Sequence, residues 1–319
     1  MVADRSTLLD VRIQAMRVEA DGVLSVEFRR PDGSDLPEWA PGAHVTVHLP
    51  SGRTRQYSLN SRPDDRSHYR VGVLKVPGGQ GGSAEMHELR VGASVQISPP
   101  LNAFPLADDA EALLIAGGIG ITPILAMTRA LRDRGTPFRL VYAGREESSM
   151  AFLDEVRSLA PEAVVVTERE HGRPDLEALL AAHPGVPVYA CGPGGMLDAL
   201  TAIGDRLGAD VRLERFAPEV AVAAPGDLLA PPEFSVRLAR AGRVVGVHGG
   251  ESILTAVRAA GIDVDSSCEM GVCGTCETRV LAGRIDHRDL LLSPAERERG
   301  DTMMVCVSRS LDGDLDLDL

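Results

Sequence analysis

Four cysteines near the end of the 319-residue chain constrain its fold more than any other feature. Cys268, Cys273 and Cys276 are separated by four and two residues, and Cys306 follows after 29 more. Thiolates at this spacing are the typical ligands of a [2Fe–2S] cluster. Glycines interleave with the clustered cysteines and permit the tight, positive-φ backbone that such a loop needs. The sequence therefore predicts a cluster-binding loop completed by a distant fourth ligand.

Two other uses of four cysteines fit this pattern less well. Structural zinc sites recruit paired Cys-x2-Cys knuckles, whereas here one gap is four residues and the last cysteine stands alone. The fifth cysteine, Cys191, lies 77 residues before Cys268 in an unrelated context, and this odd, separate cysteine does not fit the disulfide framework of a secreted protein. Four ligands and one separate cysteine indicate a reducing compartment.

Length and charge narrow the remaining choices. A chain of 319 residues is long enough for two or three domains, each with its own core. The net charge of −13 argues against nucleic acid or an anionic membrane as a partner, because both attract clustered Lys and Arg. The start of the chain lacks a signal-peptide pattern, and glycines and a proline interrupt the most apolar window, 112–127. We expect a cytoplasmic protein.

The pattern of apolar, polar and turn-forming residues changes three times along the chain. Short β-like runs separated by turns fill residues 1–107 and predict an antiparallel β-barrel. Residues 108–222 alternate apolar strands with helices, which is typical of an α/β domain with a parallel sheet. A segment rich in Pro, Gly and Ala at 223–232 reads as a linker. Residues 233–319 hold the four cysteines and predict an α+β, β-grasp domain of the ferredoxin type.

The barrel region carries two motifs suited to a flavin. Arg55-Gln56-Tyr57-Ser58 offers a guanidinium for a phosphate, an aromatic ring and a hydroxyl. Gly81-Gly82-Ser83 follows another strand and opens a predicted helix, where freed backbone amides bind phosphate. Taken singly, each also fits an ordinary exposed strand or a Gly-rich hairpin loop. Together they favour the phosphate site.

Two Gly-rich turns follow strands of the α/β region. Gly117-Gly118-Ile119-Gly120-Ile121-Thr122-Pro123 stands between the strand 113–116 and a predicted helix at 124–131. Cys191-Gly192-Pro193 follows the strand that ends at Ala190. Turns at the carboxyl ends of parallel strands line the crevice where dinucleotides bind. A tight βα turn and a buried structural cysteine are the plain alternatives.

These motifs resemble the phthalate dioxygenase reductase family, the class that includes the vanillate demethylase reductases. The resemblance covers essentially the whole chain and implies the order flavin barrel, pyridine-nucleotide domain and C-terminal plant-type ferredoxin. It implies that Arg55, Tyr57 and Ser58 contact the flavin, with Gln56 beside them, and that Gly81, Gly82 and Ser83 hold its phosphate. It places the nicotinamide between two groups of residues: Gly117, Gly118, Gly120, Thr122 and Pro123 on one side, and Cys191, Gly192 and Pro193 on the other.

Phe216 matches the position where the family places an aromatic ring against the flavin, although a core phenylalanine fits equally well. Ser58, Cys191 and Phe216 are the candidate catalytic residues.

The resemblance also suggests the cofactors. It implies FMN, with FAD as the alternative, and a [2Fe–2S] cluster. Arg145-Glu146-Glu147 follows the second α/β strand, where a carboxylate favours an unphosphorylated ribose and an arginine favours a 2′-phosphate. The two acids and the resemblance favour NADH, with NADPH as the alternative.

The family suggests an NADH-dependent reductase. Electrons would pass from NADH to FMN, then to the cluster, and then to a terminal Rieske-type aromatic oxygenase, either a demethylase or a dioxygenase. A haem-thiolate monooxygenase as acceptor and a non-enzymatic redox sensor are the alternatives. We expect a monomer that meets its acceptor in a transient complex. Residues 233–319 carry 10 arginines against 15 acids, which suggests either a solvated face or a docking surface.

Overall fold

A computed structural model describes residues 8–76, 81–216, 233–249, 251–266, 271, 274–289, 291–292 and 294–319. The chain forms two compact units, Met1–Phe216 and Ala217–Leu319. Each unit is described separately below.

An antiparallel sheet closes on itself at the start of the first unit. In the described residues, its strands are β1 Leu9–Ala20, β2 Val23–Arg29, β3 Ala43–His48, β4 Thr54–Ser58, β5 Tyr69–Leu74, β6 Ser94–Ile97 and β7 Leu101–Asn102. The order is β4-β3-β6-β1-β2-β5, and β7 pairs with β3. A bridge between Leu59 and Val71 joins the two ends of this order, so the sheet forms a barrel. Helix α1, Gly82–Glu88, follows β5.

Side chains alternate across the barrel wall. In β6, Val95 and Ile97 are buried, whereas Ser94 and Gln96 are exposed. This period of two is what a strand with one face toward a core requires. The sequence pattern therefore fixes which face of the barrel is apolar.

A parallel sheet follows in the same unit. Its described strands are β8 Ala112–Gly117, β9 Phe138–Gly144, β10 Val164–Thr167, β11 Val188–Cys191 and β12 Val211–Glu214, in the order β10-β9-β8-β11-β12. Its helices are α2 Ile121–Arg134, α3 Leu153–Leu159, α4 Glu168–His171, α5 Leu176–Ala181 and α6 Gly194–Leu207. Every residue of the central strand β8 is buried, as expected for a strand covered on both faces. The carboxyl ends of β8 and β11 are neighbours.

Charged and aromatic side chains join the barrel to the parallel sheet. Arg70 of the barrel donates to Glu155 of α3 at 3.0 Å, and its guanidinium lies 5.0 Å from the centre of the Phe152 ring. Arg129 of α2 pairs with the same carboxylate. A Cβ on Gly72 would lie 2.6 Å from the methyl carbon of Thr122, so the two folds approach closely at this glycine. Barrel and sheet are thereby held in one unit.

The second unit is a mixed sheet with a helix on it. Its described strands are β13 Phe234–Leu238, β14 Arg243–Val247, β15 Glu277–Asp286, β16 Thr302–Met304 and β17 Arg309–Leu317, in the order β14-β13-β17-β15-β16. Strands β13 and β17 are parallel, and the other pairs are antiparallel. Helix α7, Ile253–Ala259, buries Ile253, Leu254 and Val257 in the core, and α8 spans Pro294–Arg299.

Arginines pair with the acids of the last strand and of the segment after it. Arg284 meets Asp312 at 2.6 Å and Arg240 meets Asp318 at 2.6 Å, while Arg237 forms a third such pair with Asp316. These acids are thus locally neutralised. The excess of 15 acids over 10 arginines in 233–319 already counts these arginines, so the net negative charge of this region remains and the docking surface stays a prediction.

The predicted fold class is confirmed: an antiparallel barrel, a parallel α/β sheet and an α+β, β-grasp unit follow one another. The boundaries at 107, 222 and 232 stay predictions, and the proposed linker 223–232 lies outside the described residues. Helix α2 begins at Ile121, three residues earlier than predicted, because the Gly118–Gly120 turn leads directly into it. No helix in the described part of the chain is long and apolar enough to cross a membrane.

Candidate functional site

Arg55 lies across the first turn of α1. Its Nη1 donates to the carbonyl of Thr54 at 2.7 Å. A Cβ on Gly82, the first residue of α1, would lie 2.5 Å from the Arg55 Nε. The glycine therefore leaves room for the arginine, and the strand and the helix turn that the sequence predicted as one phosphate site do converge.

Gly81 and Ser83 flank that glycine. Gly81 occupies the N-cap position of α1 with φ +85°, a left-handed conformation that favours glycine. The Ser83 hydroxyl accepts the Val76 N–H at 3.1 Å, so this serine closes the preceding loop rather than capping the helix. Residues 77–80, which directly precede Gly81, lie outside the described residues.

Two buried polar atoms without partners in the described residues lie on β3 and β4, the strand pair that includes Arg55. The Tyr57 hydroxyl is buried and has no hydrogen-bond partner in the described residues. Burial raises the pKa of Tyr57, although the nearby Arg55 charge opposes this. His44 pairs with Ser58 across β3 and β4, and its Nε2 is likewise buried without a partner in that part of the chain. Burial lowers the pKa of His44 to about 4, so the imidazole is neutral at pH 7.

These orphaned atoms test whether a flavin fits here. Buried polar groups are nearly always hydrogen-bonded, and an unpaired one indicates a missing partner. A ring system with polar edges would supply such partners to Tyr57 and His44. The residues around Arg55 thus fit the group that the sequence motif predicted.

Ser58 connects the barrel to the parallel sheet. This buried serine donates through Oγ to Glu214 Oε2 at 3.3 Å, across 156 residues of chain. Glu214 is the last residue of β12, and burial raises its pKa to about 8 while the Ser58 hydrogen bond opposes the rise. At pH 7 this carboxyl is therefore mostly protonated. Sequence reasoning did not select Glu214, although it directly precedes Arg215 and Phe216.

Cys191 lies beside this carboxyl. It pairs with Glu214 across β11 and β12 and with Ala116 across β11 and β8. The side chain is fully buried, and this burial, with the Glu214 charge as a smaller cause, raises the pKa of the thiol well above its ordinary value. Cys191 is thus a neutral thiol rather than a reactive thiolate.

The two Gly-rich turns touch each other. A Cβ on Gly120 would lie 2.2 Å from the Cys191 carbonyl oxygen, and one on Gly117 would lie 2.6 Å from the Pro193 Cδ. One on Gly192 would lie 3.0 Å from the Gly117 backbone. Only glycine fits where two backbones approach so closely. The turns at the ends of β8 and β11 therefore lie in contact, and the nucleotide crevice between them stays a prediction.

The remaining predicted site residues of this part of the chain each lie in a different environment. Gly118 has φ +53°, and the place of its missing Cβ faces open space. Thr122 is buried and donates to the Ile119 carbonyl at 3.0 Å, so its hydroxyl is used inside the turn. Pro123 is buried in the first turn of α2, and Phe216 packs partly buried against the core that contains Cys191.

The acids next to Arg145 are already paired. Glu146 forms an ion pair with Arg169, and Glu147 forms one with Arg157. Arg145 itself is exposed at the end of β9, and no described residue forms an ion pair with it. The pairing weakens the argument for NADH that the sequence drew from these two carboxylates.

Two of the four predicted cluster ligands lie in described residues, and they are close in the sheet. Cys276 immediately precedes β15 and Cys306 follows β16, and these strands are antiparallel partners. The Val305 N–H donates to the Cys276 carbonyl at 3.4 Å, and both cysteine side chains are buried. Cys268 and Cys273 lie outside the described residues. Two thiols from separate strand ends in one buried place fit an iron–sulfur ligand set.

Comparison with known proteins agrees with this picture. The oxidoreductase NAD-binding domain family matches residues 114–201, and the 2Fe-2S iron-sulfur cluster binding domain family matches residues 236–311. Vanillate O-demethylase oxidoreductase from Pseudomonas sp. (strain HR199 / DSM 7063) is 44% identical over 98% of this chain and 100% of its own.

Two solved structures are also similar over most of the chain. Phthalate dioxygenase reductase, described as a modular structure for electron transfer from pyridine nucleotides to [2Fe-2S], is 34% identical with a TM-score of 0.81 and 98% of each chain covered. An intact type IV self-sufficient cytochrome P450 monooxygenase is 38% identical with a TM-score of 0.77, covering 98% of this chain and 41% of the other.

Barrel, nucleotide crevice and cluster unit together define a flavin-dependent pyridine-nucleotide reductase with its own iron–sulfur domain. The chain belongs to the phthalate dioxygenase reductase family, as the motifs predicted. It is an oxidoreductase, the reductase component of an oxygenase system, and it passes electrons from a pyridine nucleotide to a [2Fe–2S] cluster. A terminal oxygenase is its partner.

Proposed function

We propose that this reductase uses FMN and delivers its electrons to a Rieske-type aromatic oxygenase, a demethylase or a dioxygenase. The similarity to a vanillate O-demethylase oxidoreductase supports the class of acceptor. The contact of Ser58 with Glu214 supports the transfer from nucleotide to flavin, because it brings the predicted flavin strand of the barrel to the nucleotide edge of the sheet. Bound FMN would take two electrons as hydride and release them singly, which links a nicotinamide to a one-electron cluster.

The chain's own residues hold and orient these groups. Arg55 would bind the FMN phosphate, with Gly82 leaving space for its guanidinium and Tyr57 lying beside the ring. The touching turns at Gly120 and Cys191 would form the floor on which the nicotinamide stacks. Because such an orientation raises the rate without acid–base chemistry, we assign Ser58, Cys191 and Phe216 to positioning at the reacting atoms.

Glu214 contributes a protonated carboxyl to this arrangement. Its carboxyl is protonated at pH 7, beside the Ser58 hydroxyl and the neutral Cys191 thiol. We propose that it holds this proton next to the place where negative charge arrives with the hydride.

The anaerobic NADH titration tests the proposal. The flavin absorption should bleach first and the cluster absorption should fall as more NADH is added. NADPH at the same concentration should reduce the protein far more slowly, which tests the nucleotide preference that Glu146 and Glu147 no longer support. A protein whose flavin stays oxidised with NADH would rule the proposal out. Flavin released by heat denaturation distinguishes FMN from FAD.

A haem-thiolate monooxygenase is the second candidate acceptor, and the similarity to the reductase part of a self-sufficient P450 favours it. Reconstitution with one purified oxygenase of each class separates the two, because substrate turnover should appear with one and not the other. A redox sensor, the third candidate, would give no steady NADH turnover with ferricyanide or cytochrome c.

The finer points of assembly are also proposals. We propose a monomer in the cytoplasm that meets its oxygenase in a transient complex, because fast electron exchange favours short encounters. Sedimentation velocity with and without the oxygenase measures both the oligomeric state and the lifetime of the complex.

Gly82→Ala should weaken FMN binding while the barrel stays folded. The new Cβ would meet the Arg55 Nε at 2.5 Å, so the flexible arginine must move from its place. Loss of one charge-assisted contact to phosphate should reduce FMN affinity by roughly tenfold to a hundredfold. Fluorescence of released FMN measures this, and Gly195→Ala, whose Cβ would meet nothing within 4 Å, is the matched control. Unchanged affinity in Gly82→Ala would contradict the phosphate site.

Glu214→Gln should remove a pH dependence. In the wild type, turnover with ferricyanide should fall as the pH rises through about 8, because Glu214 then loses its proton. The unfolded chain loses that proton near the ordinary value of 4.5, so stability from the neutral carboxyl declines between about 4.5 and 8. The glutamine variant should have a flatter pH–rate profile and a flatter stability profile. Identical profiles in both proteins would exclude this role.

A further inference from the structure

A buried carboxylate lies in the second unit, apart from the predicted cluster ligands. Asp289 stands between β15 and α8, and its side chain is 0% exposed. Its Oδ2 accepts the N–H of Leu292 at 2.8 Å and that of Leu291 at 3.2 Å. Its Oδ1 accepts the Ser308 hydroxyl at 3.4 Å. So many donors on one buried carboxylate indicate a fixed geometry.

The segment around Asp289 touches each described stretch that adjoins a ligand. A Cβ on Gly271, between Cys268 and Cys273, would lie 2.9 Å from the Asp289 Cα. Ser308 is two residues beyond Cys306. The segment therefore adjoins Gly271 of the cysteine loop and the part of the chain just after Cys306.

Leu291, two residues after Asp289, makes a further contact. A Cβ on Gly274, which precedes Cys276 by two residues, would lie 2.9 Å from a methyl carbon of Leu291. Since Asp289 holds the Leu291 N–H, it also fixes this contact.

Positive charge offsets the buried carboxylate only in part. The Arg297 guanidinium lies 3.7 Å from Oδ2 and is itself 36% exposed. The buried His287 Nδ1 lies 3.5 Å from Oδ1 and has no hydrogen-bond partner in the described residues. A negative charge away from water acts more strongly on its surroundings than a solvated one.

We propose that Asp289 is a positioning residue for the cluster that also lowers the reduction potential of the cluster. It aligns the three ligand-bearing stretches, and its charge opposes the additional negative charge of the reduced cluster. Residues that orient metal ligands without binding the metal themselves affect the reduction potential of the metal site. The inference rests on the proposed electron relay, because it assumes that a [2Fe–2S] cluster occupies the four cysteines.

Asp289→Asn tests the charge without changing the size of the side chain. The cluster of the holoprotein is titrated with dithionite and mediators and followed by electron paramagnetic resonance. At a fixed solution potential, the ratio of reduced to oxidised cluster should rise about tenfold, equivalent to about 59 mV for a one-electron couple. Asp312→Asn, an exposed acid of the same unit paired with Arg284, should leave the ratio unchanged. An unchanged ratio in Asp289→Asn, with iron content intact, would overturn the proposal.

Arg297→Gln covers the case in which the asparagine variant loses its cluster. Removing this cation leaves the carboxylate less compensated, so the ratio of reduced to oxidised cluster should fall severalfold, opposite to Asp289→Asn. No change in this variant would likewise overturn the proposal. Because dithionite supplies the electrons, a wild-type protein that NADH cannot reduce would refute the proposed function while Asp289 could still be tested.

Discussion

Cys306→Ser is expected to abolish electron delivery from the second unit while the first unit keeps working. A serine hydroxyl is a hard, weak ligand for iron compared with a thiolate, so the cluster should be lost or become labile. Reduction of cytochrome c should fall at least about a hundredfold, because the one-electron exit is gone. Turnover of NADH with ferricyanide should stay close to wild type, since flavin can reduce that dye directly.

Iron content, flavin content and the two activities are measured on the same preparation. Ser310→Ala is the matched control, because the Ser310 hydroxyl is buried without a partner in the described residues and its removal should cost nothing. Iron should be retained in this control. Loss of both activities in Cys306→Ser would contradict the prediction, because the first unit would then need the cluster of the second unit for its own activity.

Gly120→Ala is expected to stop NADH oxidation. Its Cβ would lie 2.2 Å from the Cys191 carbonyl oxygen and 2.7 Å from the Gly192 N, and both are backbone atoms that cannot rotate away. The two turns must therefore separate, and the crevice changes shape. A displacement of about 1 Å at such a site can cost about a hundredfold in rate. Overpacking should also lower the free energy of unfolding by roughly 1–3 kcal/mol.

Stopped-flow flavin reduction by NADH measures this loss directly. Gly195→Ala provides the comparison, because Gly195 lies in the first turn of α6, close in sequence to the Cys191 turn that Gly120 contacts, and its Cβ would meet nothing within 4 Å. FMN content should be normal in both variants, which separates the nucleotide crevice from the flavin site. Wild-type rates in Gly120→Ala would refute the crevice as the nicotinamide site.

The sequence was sufficient where function depends on local spacing. The cysteine pattern, the Gly-rich turns after β8 and β11, and Arg55 next to a helix-opening glycine are all short-range signals. The parallel sheet follows from alternating strands and helices, so the meeting of the two turns could be predicted.

Contacts set by register could not be predicted in this way. Glu214 meets Ser58 only because β12 lies beside β11 and its end reaches the barrel. Asp289 accepts hydrogen bonds from the turn that follows it and from Ser308, just before β17 and 19 residues away. The acids of β17 pair with arginines of the neighbouring strands, although the net excess of acids in this region remains. Charge counts along a chain do not reveal such pairing.

The hydrogen bond between Ser58 and Glu214 also limits which parts of this enzyme can be exchanged with those of another reductase. It joins the barrel to an edge strand of the parallel sheet, so the hydride site that we propose would be divided between the two folds. Neither fold would be useful if transplanted alone, because each carries an incomplete site. The smallest part that can be exchanged between reductases is therefore the barrel and sheet together, and a chimaera should be joined after Phe216 rather than between them.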